Sequence, residues 1–125
     1  AQSSGKIYID GAAETVVAAG GGAITLIESS ATTPVLLSGL TTSPSSPANG
    51  NLDEVAVFGS ELSASDVTAI YNGGTPTDLT SLSPLGWWRM GDGDTFPTLT
   101  DNGSGGNNGT MTNMVAGDIE SDVPT

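Results

Sequence analysis

Apolar residues along the chain come in short bursts cut by Gly, Pro, Ser, Thr and Asn, with turn signals arriving about every 8–12 residues, the spacing of a β-sandwich or barrel. Residues 5–10 (GKIYID) alternate, placing Ile7 and Ile9 on one face and Lys6, Tyr8 and Asp10 on the other, as a half-buried strand requires. Asp10-Gly11 supplies the positive-φ pair of a tight hairpin turn, and the returning strand is expected over residues 13–18 with Val16 and Val17. Further strands are expected over 23–28 (AITLIE) and 34–40 (PVLLSGL), followed by a Pro/Ser-rich loop over 41–51. Residues 52–58 (LDEVAVF) form the strongest strand candidate, with Asp53, Val55 and Val57 on one face and Leu52, Glu54, Ala56 and Phe58 on the other.

One segment breaks the β pattern. A short helix is expected from about Ala64 to Asn72. Ser63 and Asp66 have capping-box spacing, Leu62 and Val67 that of a hydrophobic staple, and Gly73 or Gly74 can take a left-handed C-terminal cap. Val67, Ile70 and Tyr71 make its apolar stripe, which a helix this short must dock to be stable. Residues 75–84 read as a linker and 86–90 (GWWRM) as a strand; 92–113 reads as turns around extended pieces at 95–100 and 109–113, with a loose acidic tail from 117.

Composition narrows the chemistry. The 125 residues contain no Cys and no His, which removes disulfides, thiolate nucleophiles, Cys/His zinc sites and imidazole-based catalysis. Fourteen acidic residues against two basic ones give a formal net charge of −12, so nucleic-acid and anionic-membrane partners, which need clustered cations, are not expected. No apolar run approaches the roughly 20 residues of a membrane span, so membrane insertion is not expected either. Carboxylates and amides remain as functional groups, and calcium is the metal they suit; no cofactor is required. The chain opens with Ala1, which reads as a processed or engineered product or a piece of something longer.

Residues 51–74 (NLDEVAVFGSELSASDVTAIYNGG) resemble the closing strand and helix of laminin-G-like, concanavalin A-like jelly-roll modules. Residues 5–16 (GKIYIDGAAETV) resemble the hairpin before that strand, and residues 86–114, from GWWRMGDGD onward, the opening of such a module. The resemblance implies an all-β antiparallel jelly-roll sandwich with one short helix. It also implies an unusual order, with a closing half over 1–78 and the opening of a second or permuted module over 79–125. Three arrangements fit: a junction between tandem copies, a circular permutant, or a fold completed by strands from neighbouring chains. The first and third are favoured, because 1–78 supplies about half of a sandwich and would leave open edges. Similar modules occur in tandem in phage tail fibres and virion structural proteins, which implies an extracellular or virion-surface setting and partners that are copies of the chain or its parent protein.

The functional expectation is therefore a non-enzymatic structural or adhesive module. A calcium-assisted carbohydrate-binding module is the second reading, and a fragment of a glycan-degrading enzyme the third. Trp87 and Trp88, adjacent on a strand, point to opposite faces; one is core, and the other either packs beneath the helix or against a neighbouring subunit, the commoner use of paired aromatics, or is a candidate platform for a sugar ring, with Asn107 and Asn108 as the accompanying carbohydrate-binding candidates. Asp53, Asp101 and Asn102 are the candidate calcium ligands; the structural alternative for Asp53 is to cap backbone N–H groups at the core end of its strand, and for Asp101 and Asn102 to form a plain Asx/Gly turn between strands. Asp92-Gly93-Asp94 is not an EF-hand loop, since Phe96, Pro97 and Gly103 occupy positions that loop needs for a ligand, a glycine and a glutamate. The strand of alternating carboxylates used by glycosidases has its nearest match at Glu120 and Asp122, where the third position is Thr125. Asn102-Gly103-Ser104 and Asn108-Gly109-Thr110 match the glycosylation sequon.

Overall fold

The computed structural model describes residues 5–15 and 50–119. The strands expected over 23–28 and 34–40, most of the 41–51 loop, Val16 and Val17, and the tail beyond 119 with Glu120 and Asp122 lie outside the described residues. Contacts divide the chain into two units, one made of Ala1–Lys6 with Thr15–Asn51 and the other of Ile7–Glu14 with Leu52–Thr125. The second unit runs across the 78/79 division expected from sequence. The reason is that strands on either side of that point pair with each other.

The described residues of the second unit form three two-stranded antiparallel sheets of short strands and one short α-helix. Strands β1 (Ile7–Ile9) and β2 (Ala12–Glu14) form the expected hairpin, and Asp10 and Gly11 both take positive φ, 51° and 74°, at its turn. The burial pattern is the reverse of the one the alternation implies: Tyr8 is half-buried, while Ile7 and Ile9 are exposed.

Strand β3 is confined to Val55–Val57. Glu54, just before it, has φ 49°, so the strand cannot extend back to Leu52 with regular alternation. Helix α1 (Ala64–Tyr71) forms as its caps dictate. The Ser63 hydroxyl accepts the Asp66 N–H at 3.2 Å, and the Asp66 carboxylate accepts the Ser63 N–H at 3.0 Å. Its left-handed C-terminal cap is Asn72, with φ 42°, ahead of the two glycines expected to provide it; asparagine tolerates that conformation. Tyr71 packs on the hairpin turn, where a Cβ at Gly11 would lie 2.7 Å from the Tyr71 ring.

Residues 75–84 are not a loose linker. They contain the most buried apolar residue of the described chain, Leu79 at 3% exposure, followed by a single 3-10 turn at Thr80–Leu82. Beyond it, β4 (Gly86–Trp88) pairs antiparallel with β3, Val55 opposite Trp88 and Val57 opposite Gly86. Met90 takes φ 51° and ends the strand earlier than the sequence pattern suggests. Strands β5 (Thr98–Leu99) and β6 (Gly109–Thr110) pair antiparallel, and Asp101 bridges to Trp88. The sheet pairs thus follow a connected strip, β3 to β4, β4 through Asp101 to the β5 segment, and β5 to β6. Leu79, Trp87 and Met111 are its buried large apolar side chains, while Leu52, Val57, Leu85, Met114 and Val115 are exposed.

Candidate functional site

The polar groups of the unit converge on β4. Trp87 is buried, and its backbone N–H donates to Asp101 Oδ1 at 2.9 Å. The same oxygen accepts the Gly103 N–H at 2.8 Å, and Oδ2 accepts the Asn107 N–H at 2.7 Å. In return the Asp101 N–H donates to Asn108 Oδ1 at 2.9 Å. The Asn102, Ser104 and Gly105 N–H groups donate to the carbonyls of Trp87, Pro84 and Leu85. One buried carboxylate therefore organises the whole 101–108 turn and fastens it to the strand. Burial pushes the Asp101 carboxyl up, but the N–H donors of Trp87, Asn107 and Gly103 together outweigh it and hold the group below the ordinary aspartate range.

A second network lies beside it. Glu54 Oε2 accepts the Trp87 indole N–H at 2.6 Å, and Glu54 Oε1 accepts Arg89 Nε–H at 2.9 Å. Arg89 Nη2 reaches Asp92 Oδ2 at 3.0 Å, and its guanidinium carbon stands 5.7 Å from the centre of the Trp87 ring. The hydrogen bond to Glu54 holds the guanidinium above its usual range. The left-handed backbone at Glu54 belongs with this role, since it accompanies a carboxylate shared by the Trp87 and Arg89 side chains.

The sequence-derived site residues fall around this strand with different outcomes. Trp87 is the core tryptophan. Trp88 is half-buried, its indole N–H donates to the Asn107 carbonyl at 3.0 Å, and the far end of its ring lies over Gly86. Asn107 and Asn108 are exposed next to it. Asn102 is also exposed, and its side-chain amide points its N–H groups at the Thr100 and Trp87 carbonyls at 3.3 and 3.5 Å.

Asp53 is exposed and accepts the Glu54 N–H at 2.9 Å, the capping alternative raised for it. Partial desolvation lifts its carboxyl above the usual range; the Glu54 N–H opposes this, while the charges of Glu54 and Asp92 add to it. Among the described residues no group of three acidic side chains is placed to hold a metal, and the oxygens of Asp101 face N–H donors. Glu54, placed by the sequence pattern on the strand face of Leu52, Ala56 and Phe58, is half-buried and accepts two side-chain hydrogen bonds. No local signal marks it, because both of its partners lie more than thirty residues away.

The chain matches no family model, no curated protein and no solved structure. Its site is therefore characterised by geometry alone: a rigid turn held by Asp101, a half-exposed tryptophan against it, and hydrogen-bond acceptors already engaged by the backbone. Among the described residues no helix is long and apolar enough to cross a membrane.

Proposed function

We propose that the chain is a non-enzymatic structural or adhesive β module of a virion or microbial surface, working by association with copies of itself or with a parent protein. The finer architecture proposed is the laminin-G-like jelly-roll sandwich, of which the described strip would be one portion. One observation carries the reading: β3 and β6 each have a single strand partner among the described residues, and Val57, Leu85, Ile7 and Ile9 are about half exposed. An unpaired edge next to exposed apolar side chains is a surface that strand addition would cover. Light scattering across a concentration series tests this. Association of the full chain is the expected result; a monomer that unfolds cooperatively at every concentration would overturn it.

A second reading, glycan binding, is favoured by Trp88, whose ring is fixed by the Asn107 carbonyl beside two exposed amides. An aromatic plane held rigidly loses little entropy when a sugar ring stacks on it. Screening against immobilised glycans, with and without calcium, is the measurement. Signal that disappears in Trp88→Ala supports this reading, and blank arrays in both conditions remove it.

A further inference from the structure

Three Asn-Gly pairs fall wholly within the described residues: Asn72-Gly73, Asn102-Gly103 and Asn108-Gly109. Such pairs share an intrinsic chemistry. The glycine backbone nitrogen attacks the asparagine side-chain carbonyl carbon, a C–N bond forms, and ammonia leaves carrying the former N–H proton. Water then opens the resulting succinimide at either carbonyl, leaving aspartate or isoaspartate. The step needs no enzyme, but the backbone around the pair must rotate to bring nitrogen to carbon, and local structure decides whether it can.

The structure treats the three pairs unequally. At Asn102 the attacking nitrogen is already engaged, Gly103 N–H to Asp101 Oδ1 at 2.8 Å, and the Asn102 N–H is held by the Trp87 carbonyl at 2.7 Å. Gly103 is also pressed onto β4, where a Cβ would lie 2.8 Å from Gly86 Cα. At Asn108 the side-chain oxygen is bound by the Asp101 N–H at 2.9 Å, and Gly109 is paired opposite Leu99 in the β5–β6 ladder.

Asn72 is less restrained, although its own N–H donates to the Thr68 carbonyl at the end of α1. It is exposed at the end of α1, and its side chain is in no hydrogen bond among the described residues. Gly73 has open space around it, and the Thr75 N–H that closes the turn onto the Asn72 carbonyl is 3.4 Å away. Helix ends open at low free-energy cost.

We propose that Asn72 is the preferred deamidation site of the three in the folded chain, and that the Asp101 turn protects Asn102 and Asn108. The product places a new carboxylate at the C-terminal end of α1, where the helix dipole is already negative. Isoaspartate also lengthens the backbone next to Tyr71, the residue that packs on the hairpin turn. The modification therefore loosens the contact between α1 and the β1–β2 turn.

The test follows all three amides by peptide mass mapping of the full chain held at mildly alkaline pH, alongside a sample in concentrated urea. The expected result is loss of the Asn72 amide while Asn102 and Asn108 keep theirs, with comparable loss at all three in urea. Reaction of Asn102 or Asn108 as fast as Asn72 in the absence of urea would overturn the proposal. So would retention of Asn72 without urea while it converts in urea.

Discussion

Glu54 and Trp87 stand 33 positions apart in the chain, and the carboxylate of the first accepts the indole N–H of the second at 2.6 Å. That bond, with Arg89 on the other carboxylate oxygen, adds a side-chain clasp to the β3–β4 ladder. An ionised acceptor makes a stronger bond than a neutral one.

Replacing Glu54 by Gln keeps the shape but leaves one acceptor oxygen, so one bond loses its charge assistance and the other is replaced by an amide N–H facing a donor. The expected loss is about 1–2 kcal/mol, read as a lower urea midpoint with unchanged slope. Trp87→Ala removes the largest buried side chain and is expected to cost about 3–5 kcal/mol, a large share of the roughly 5–15 kcal/mol typical of a folded domain. Loss of near-ultraviolet circular dichroism would report it. A Glu54→Gln midpoint equal to that of the parent would show that the clasp adds nothing.

Asp101 gives the unit a defined acid sensitivity. Its folded carboxyl lies below the ordinary aspartate range, so the folded state favours the ionised form. The stabilisation is present above the unfolded value of about 4 and fades as the pH falls through the lower folded value. In Asp101→Ala the Trp87, Gly103 and Asn107 N–H groups lose their acceptor, with an expected cost of about 1–3 kcal/mol for each one left buried and unsatisfied. Thermal melts from neutral to strongly acidic pH check both points: the parent loses stability at the acid end, and Asp101→Asn shows a flatter profile there.

Ser63→Ala removes the acceptor for the Asp66 N–H at the start of α1 and is expected to cost about 1 kcal/mol. The donors of Ser63 hold the Asp66 carboxyl below its ordinary range, so the cap also weakens in acid as that carboxylate protonates. Far-ultraviolet circular dichroism during urea unfolding reads the difference, and Ser63→Thr should restore most of it.

Gly103→Ala tests how closely the turn sits on β4. The added Cβ would meet backbone atoms of Leu85 and Gly86 at 2.8 Å, and backbone cannot swing aside as a side chain can. A loss of about 1–3 kcal/mol is expected. Gly117→Ala, where nothing lies within 4 Å, is the matched control and should leave the midpoint nearly unchanged.

The features legible in the sequence are those whose causes lie within a few residues of each other. Asp10-Gly11 needs only its own positive φ values to make a hairpin, and Ser63 needs only Asp66 to start a helix. The pairing of β3 with β4 and the engagement of Glu54 depend on residues brought together across α1, so nothing local marks them. Leu79 is hidden for a related reason: two leucines, Leu79 and Leu82, among Thr, Asp, Ser and Pro are too few to set a periodicity, and the burial of Leu79 comes from what surrounds it in space. The Asp101 turn was half legible. Its oxygen-rich composition was plain, but the choice between holding a cation and holding backbone N–H groups rests on where Trp87, Gly103 and Asn107 point their donors.

The separation between β3 and β4 also has a consequence for synthesis. A growing chain presents Val55–Val57 and completes α1 while Trp87 is still inside the ribosome, so the helix can already dock through Tyr71 on the hairpin turn, but β3 must wait. A polypeptide truncated just short of Gly86 would keep both local elements and lack the ladder, and its exposed valines would invite capture by chaperones or by other unfinished chains.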